Sequence, residues 1–536
     1  MTAPLHFFDA NGPVGHSKRN DSDFPDCRAL LRHMDRLGIA RSLVWNVQGR
    51  DHYPALGNLR ILAEVEALDT EHRRLVPSLV VAATMLYENR AMDELVEAFR
   101  AKRVRAIRAF PSTLRCQLRH LEPVIEKIEA YRPVILIDTR ELGDDRDILA
   151  LAQKFPHLPI VCLHGMWPTL FNFSLLDVMR RCRNVLIDNS VLHTNGTLET
   201  IVREFGPDRV VFGTQFKAHN GASMAHLLRS KIDETTRETI AHGTLERLLG
   251  LTPSASARPL PKLRPTQGSK LWADFLAGRA VGAEILDAHG HLGSEGIWVI
   301  PGRDIAEQAP ALVKRMDEFG IRTTIASGID ALFAHTLEGN RKLEKQASKY
   351  GDRIRGYFTF NPFYADDLVP RFDSFFSRPF FVGFKTLCDY WQVPVTDDRF
   401  HVMYQYAHDR RLPILIHTWD GPWDSPALLK DIVKQYPDAF FLLGHAGGGD
   451  GGRRQAVELA RENPNVFLEF CGSFCSRIPW EQTFREVGPD QIVFGTDTTG
   501  HDAGWELGRY LSLDLPASMI RPALGANMRR ILAARR

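Results

Sequence analysis

The chain carries the same set of segments twice. Residues 9–15, DANGPVG, are answered by residues 287–293, DAHGHLG, and GPDRVVFGTQ (206–215) is answered by GPDQIVFGTD (488–497). Between these, in the same order, RAIRAF (105–110) pairs with VGFKTL (382–387), PVILIDT (133–139) with PILIHTW (413–419), and VCLHG (161–165) with LLGHA (442–446). Collinear pairs at a nearly constant separation mark a tandem duplication, and a period this long makes each copy a domain and not a solenoid repeat. Whatever one copy folds into, the other must fold into as well.

Length and composition allow that. The chain has 536 residues, 44% hydrophobic and 25% charged, enough for two cores. A formal net charge of +2 with no basic block argues against nucleic acid or a membrane surface as partner, so a small molecule is expected. No stretch approaches the roughly 18 uninterrupted apolar residues of a membrane span, and MTAPLHFFDANG lacks the basic start and apolar core of a signal peptide. The seven cysteines include no CxxC pair, which fits reduced thiols in a cytoplasmic protein.

Each copy reads as eight short strands alternating with amphipathic helices. In the second half the strands are EILDAHG, TTIASGI, IRGYFTF, VGFKTL, PILIHTW, AFFLLGH, NVFLEFC and QIVFGTD. Between them lie helical stretches such as PALVKRMDEFG and GRRQAVELAREN, with apolar residues three and four apart. The first half supplies LHFFDAN, SLVWNV, LVPSLVV, RAIRAF, PVILIDT, IVCLHG, NVLIDNS and RVVFGTQ. Eight strand and helix units in about 250 residues are the pattern of a TIM barrel. The expected fold is therefore α/β, two tandem (β/α)8 TIM barrels at residues 1–251 and 281–536. Residues 252–280 form the linker, on the strength of the Pro-, Ser- and basic-rich TPSASARPLPKLRPTQGS (252–269).

In the second copy His289, His291, Lys385, His417, His445 and Asp497 all fall at or just past the C-terminal ends of strands, the rim where barrel enzymes place their chemistry. His289 and His291 are two apart on an extended segment, so their side chains leave on one face. Imidazole nitrogens with a carboxylate suit zinc or a similar divalent ion. Taken singly, His-Gly-His reads as turn chemistry, strand-end histidines as structural groups, Lys385 as the partner of an acid and Asp497 as a helix cap. Convergence on five strand ends of one barrel favours the metal.

That constellation resembles the amidohydrolase superfamily. DAHGHLG, GFK followed by DDRF, LPILIHT, LGHAGG, GPDQIVFGTD and GANMRRIL resemble the branch that includes aminocarboxymuconate semialdehyde decarboxylase, related aromatic-acid decarboxylases and several hydrolases, over most of residues 284–534. The resemblance implies that His289, His291, His417 and Asp497 ligate one divalent ion, with Zn2+ expected and Mn2+ the alternative. It places His445 beside the metal-bound water and leaves Lys385 a site residue of unassigned role. Asp497 and His445 are the expected catalytic groups, Asp497 as general base and then general acid. The expected activity is metal-dependent hydrolysis of a small carboxylic acid, ester, lactone or amide. Non-oxidative decarboxylation of an unsaturated or aromatic carboxylic acid is the alternative, and a non-catalytic two-barrel binding protein the rival class.

The first copy departs from this pattern. Asn11 and Pro13 stand in place of the histidine pair, Arg108 in place of Lys385, Asp138 in place of His417 and Gln215 in place of Asp497, while His164 matches His445. Proline offers no ligand, and a permanently charged guanidinium repels a cation, so no catalytic metal is expected there. A residual anion site at Arg108 is the lesser expectation and a structural role the main one. Because members of the superfamily commonly pair as homodimers, the first barrel is expected to pack on the second as a pseudo-dimer and to supply an arginine in cis. For specificity, Trp298, Trp391, Trp419 and Trp423 are expected near the mouth, with Arg303 and His501 as carboxylate partners.

Overall fold

A computed structural model describes residues 5–18, 23–68, 74–88, 90–165, 172–214, 220–251, 270–294, 302–473 and 475–536. The chain divides into two compact units, Met1–Thr266 and Gln267–Arg536.

The first unit holds strands β1 (Phe7–Val14), β2 (Ile39–Asn46), β3 (Leu75–Val81), β4 (Ala106–Ala109), β5 (Val134–Asp138), β6 (Ile160–Leu163), β7 (Val185–Asp188) and β8 (Val210–Val211). The second holds β9 (Ile285–Leu292), β10 (Ile321–Gly328), β11 (Ile354–Thr359), β12 (Phe381–Thr386), β13 (Pro413–His417), β14 (Phe440–Gly444), β15 (Val466–Glu469) and β16 (Ile492–Val493). In each unit the eight strands pair in sequence order, all parallel. The first sheet meets itself where Ala10 N–H donates to Phe212 O (3.0 Å), and the second where Ala288 N–H donates to Phe494 O (2.9 Å). Two tandem (β/α)8 TIM barrels result, as the alternating strand and helix signals anticipate.

Local signals set the helix ends in the same way in both copies. Asp26 caps helix Cys27–Leu37 by accepting from Ala29 N (2.8 Å), and Gly38 closes it at φ 91°. Asp304 caps helix Ile305–Phe319 by accepting from Glu307 N (3.1 Å), and Gly320 closes it at φ 72°. The carboxylate satisfies an orphan amide, and glycine enters the left-handed region without a Cβ penalty.

The inner core of the first barrel gathers Phe8, Leu43, Val134, Leu136, Val161 and Leu186, together with Leu245 and Leu249 from its last helical segment. That of the second gathers Leu286, Ile325, Tyr357, Leu415, Leu442 and Phe467, together with Met528 and Ile531 from helix Asn527–Ala533. Side chains two apart on a strand share a face. Inward-facing Leu415 thus stands one layer below His417, and Phe467 one layer below Glu469. The hydrophobic floor thereby aims the next residue of each strand at the mouth.

One boundary moves. Residues 252–269 lie outside the described residues, but helix Lys270–Leu276, within the stretch expected as linker, buries Leu271, Trp272 and Phe275. Phe275 stacks on Phe319 at 6.4 Å and 10°. Residues 270–276 fall within the second compact unit, Gln267–Arg536.

Candidate metal centre

The strand ends of the second barrel bring His289, His291 and Asp497 together, with one ligand atom from each lying within 4.8 Å of the others. His289 Nε2 lies 3.2 Å from His291 Nε2 and 3.7 Å from Asp497 Oδ1, and His291 Nε2 lies 3.1 Å from Asp497 Oδ1. Ligand atoms about 2.0–2.1 Å from one tetrahedral ion stand about 3.3 Å apart. The three observed edges match that spacing, so the donor set fits a divalent cation. Its charge state fits too. Burial and the neighbouring Lys385 ammonium hold His289 well below the usual imidazole range, and burial lowers His291. Burial opposes ionisation of Asp497, but His289, His291 and His501 outweigh it and hold the carboxyl well below its usual range. Two neutral imidazoles and one carboxylate are the form in which these side chains ligate.

Around this core the other ring nitrogens are engaged. His291 Nδ1 meets Ser327 Oγ at 2.7 Å, His417 Nδ1 meets Asp424 Oδ2 at 2.6 Å, and His445 Nδ1 meets Cys471 O at 2.6 Å. A carbonyl only accepts, so His445 carries its proton on Nδ1 and leaves Nε2 bare. Burial pushes both His417 and His445 down to about 3. His289 Nδ1 lies 2.7 Å from Glu469 Oε2, which burial pushes up to about 8 against the opposing hydrogen bonds from Cys471. His289, His445, Glu469 and Cys471 form a second close group of donor side chains. Within it His289 Nδ1 meets Glu469 Oε2, and the Cys471 thiol donates to the same Oε2 at 3.0 Å.

His417 belongs to neither close group among the described residues. It stands beside His445, ring centroids 4.8 Å apart. Trp419 lies parallel to it at 6.0 Å and 15°, and Tyr390 meets it edge-on at 5.5 Å. Trp419 is seated on a glycine: a Cβ on Gly448, whose φ is 74°, would fall 2.4 Å from the indole Cδ2.

Lys385 is fully buried, with Nζ 3.1 Å from His289 Nε2, and burial pushes it down to about 8. His501 lies beside Asp497, Nε2 to Oδ2 4.0 Å, with Nδ1 3.4 Å from Glu506. Arg303 is exposed and paired with Glu307 at 2.7 Å, away from the cluster. Trp391 Nε1 donates to Leu332 O, a packing contact, and the Trp423 backbone O accepts from Val395 N. Trp298 lies outside the described residues. Sequence reasoning passed over Asp424, Glu469 and Cys471. Glu469 had a signal, an acid at the inward-facing end of NVFLEFC, whereas Asp424 sits in a loop with no periodicity to mark it.

The first barrel fills the corresponding place with its own cation. Arg108 is buried, donating through Nε to Ser78 Oγ (2.9 Å), through Nη1 to Asn11 Oδ1 (3.2 Å) and through Nη2 to Ala10 O. Trp45 Nε1 also donates to Asn11 Oδ1 (3.1 Å). Each nitrogen of the guanidinium is thus engaged within the barrel. Asp138 pairs with Arg140 at 2.8 Å and His164 at 3.4 Å. His164 keeps the left-handed backbone of its counterpart, φ 56° against 64° for His445. Gln215 lies outside the described residues.

A family profile described as Amidohydrolase matches residues 58–251 and again residues 287–533. Among solved structures, 2,6-dihydroxybenzoate decarboxylase from Rhizobium is 16% identical over 47% of this chain and 99% of its own, with a TM-score of 0.38. The 5-carboxyvanillate decarboxylase from Novosphingobium aromaticivorans, complexed with manganese, is 14% identical over 47% of this chain and 96% of its own, TM-score 0.38. An uncharacterized TIM-barrel protein from Bordetella bronchiseptica is 19% identical over 46% and 99%, TM-score 0.37. No curated protein matches the chain.

Proposed function

Because the chain belongs to the amidohydrolase family, we propose that its second barrel is a metal-dependent hydrolase of a small carboxylic acid, ester, lactone or amide. The observation that carries this reading is the convergence of His289, His291 and Asp497 at ligand spacing. These three hold one divalent ion, with His417 completing the set as the remaining imidazole at the rim. The nitrogen-rich donors favour zinc, with manganese as the alternative. Such an ion supplies an acidified water, with a pKa near 7, and polarises a carbonyl.

The protein's own groups do the rest. Asp497, ionised at neutral pH, takes the proton of the attacking water and returns it to the leaving group. His445, neutral and with Nε2 bare, orients the water or the substrate. Lys385 contributes positive charge beside His289 for an anionic group of the substrate. The first barrel carries no catalytic site, since Arg108 and Asn11 fill its centre.

A second reading, decarboxylation of an unsaturated or aromatic carboxylic acid, uses the same ligands. It is favoured by Trp419 and Tyr390, which flank His417 with aromatic surface suited to a planar substrate. None of the described helices is long and apolar enough to cross a membrane. None of the seven cysteines is in a disulfide, which supports a reducing, cytoplasmic location.

Metal analysis of the purified, metal-replete protein tests the enzyme reading. About one ion per chain is expected, lost on His289→Ala or Asp497→Ala. An ion-free protein would sink it and leave a two-barrel binding protein. Carbon dioxide release against acid release, over a panel of carboxylic acids and their esters, then separates the two activities.

A further inference from the structure

His289 has two ring nitrogens with opposite duties, and both are buried. Nε2 faces His291 and Asp497, while Nδ1 faces Glu469 Oε2 at 2.7 Å. Only one tautomer of a neutral imidazole serves a metal on Nε2, the one with its hydrogen on Nδ1. Two separate contacts select that tautomer. Lys385 Nζ approaches Nε2 at 3.1 Å, and an ammonium has only hydrogens to give, so Nε2 must accept. Glu469 sits on the other side: its Oε1 takes the Cys471 amide at 2.5 Å and its Oε2 the Cys471 thiol at 3.0 Å, and because Nε2 accepts from Lys385 the hydrogen of the 2.7 Å contact lies on Nδ1, which requires Glu469 to be ionised there against the burial that pushes its carboxyl up.

We infer that Glu469 is the positioning residue of the metal centre: it holds His289 in the Nδ1–H tautomer and aims Nε2 at the ion. The inference rests on the metal reading for its purpose, but its chemistry is a property of the metal-free protein. The surroundings are shaped for this contact. A Cβ on Gly495 would fall 2.6 Å from the Glu469 carboxyl carbon and 2.8 Å from His289 Cβ, so only glycine lets carboxylate and imidazole meet there. The duplicated barrel supplies an internal comparison. Where His289 is replaced by Asn11, the acid at the end of β7 is Asp188, and it accepts from the His164 amide at 2.8 Å instead of from a ring on β1.

Glutamine at this position reverses the polarity. An amide has one acceptor oxygen and one donor NH2. With the Cys471 amide claiming the oxygen at the Oε1 position, the NH2 faces His289 Nδ1. The ring must then accept there and carry its hydrogen on Nε2, where it blocks the ligand lone pair and turns Lys385, whose ammonium burial already disfavours, to the neutral amine that can accept from it. Aspartate keeps two acceptor oxygens and preserves the tautomer.

The test is 15N NMR of the histidine rings in the metal-free full chain, with the His289 signal assigned from the His289→Gln variant, together with zinc affinity by competition with a chromophoric chelator. Wild type is expected to show His289 as Nδ1–H. Glu469→Gln is expected to show Nε2–H and to bind zinc about 10- to 100-fold more weakly, the usual range for loss of a ligand's hydrogen-bond partner. His417, held by Asp424, should be unchanged in the same spectrum, which a general loss of structure would not allow. Glu469→Asp should restore the wild-type tautomer. Finding Nε2–H in the wild type, or Nδ1–H in Glu469→Gln, overturns the inference. If Glu469→Gln does not fold, the wild-type and Glu469→Asp spectra decide it. A wild type that takes up no zinc defeats the metal reading, while the ring tautomer still judges Glu469.

Discussion

Arg108 Nη1 donates to Asn11 Oδ1 over 3.2 Å in the first barrel, where the second barrel sets Lys385 Nζ 3.1 Å from His289 Nε2. The same two strand positions carry both pairs. In one copy the cation meets an amide oxygen, and in the other it meets the imidazole nitrogen that faces His291 and Asp497.

Arg108→Met should therefore damage the first barrel alone. Removing a buried, hydrogen-bonded charge leaves Ser78 Oγ and the Ala10 carbonyl without this donor, and Asn11 Oδ1 with Trp45 Nε1 alone, and costs about 3 kcal/mol or more. Urea denaturation should show the first unit unfolding earlier, with the metal content of the chain unchanged. Loss of bound metal in this variant would contradict the assignment of the ion to the second barrel.

Asp424→Asn tests the other buried carboxylate behind a rim histidine. Asp424 accepts from His417 Nδ1 at 2.6 Å. An asparagine amide can present NH2 there and turn the ring's tautomer, so kcat/KM should fall about 10- to 100-fold. Steady-state kinetics on whichever substrate the panel reveals is the measurement, and an unchanged kcat/KM would remove His417 from the working site.

Gly448→Ala tests the seat of Trp419. The added Cβ would lie 2.4 Å from the indole at a backbone φ of 74°, so the ring must move and the backbone is strained. A stability loss of about 1–2 kcal/mol is expected, with KM raised more than kcat is lowered. If Trp419 is only packing, KM should stay at its wild-type value.

Asp9 makes a prediction about pH. Burial pushes its carboxyl up to about 6, against hydrogen bonds from Thr214 and Asn11 and the charge of Arg108. The folded state thus favours the protonated form, from a model value of 3.8. Its contribution to stability is fully present below the unfolded pKa and is lost as pH rises through about 6, an amount of about 3 kcal/mol. Asp9→Asn keeps the neutral form at every pH. The stability difference, variant minus wild type, should rise by about 2 kcal/mol between pH 4 and pH 6.5 in urea denaturation of the first unit. A flat difference would show that Asp9 is ionised with little penalty.

Much of this was legible in one dimension. The paired segments DANGPVG and DAHGHLG, with the strand-end order His289, His291, Lys385, His417, His445 and Asp497, mark the duplication and the live copy, because strands of a parallel barrel all end on one rim. Asp26 and Gly38, or Asp304 and Gly320, bracket helices through local geometry alone. Helix Lys270–Leu276 was missed because its polar, Pro-rich neighbourhood masked a short apolar pattern. The partners of Arg303 and His501 were not legible, because charge on a sequence says nothing about direction: one meets Glu307 a turn along its helix and the other lies beside Asp497 and Glu506.

The sequence by itself determined the two barrels, the loss of ligands in the first, and the identity of the side chains on the second rim, since periodicity and residue chemistry are local properties. Only the tertiary structure decided which of those side chains meet. It separated His417 from the close triad, turned Arg108 inward onto Asn11, and set Glu469 behind His289 across about 180 residues of chain. Such contacts depend on strand register and on the inward or outward turn of each strand end, and neither is written in the spacing of any one segment.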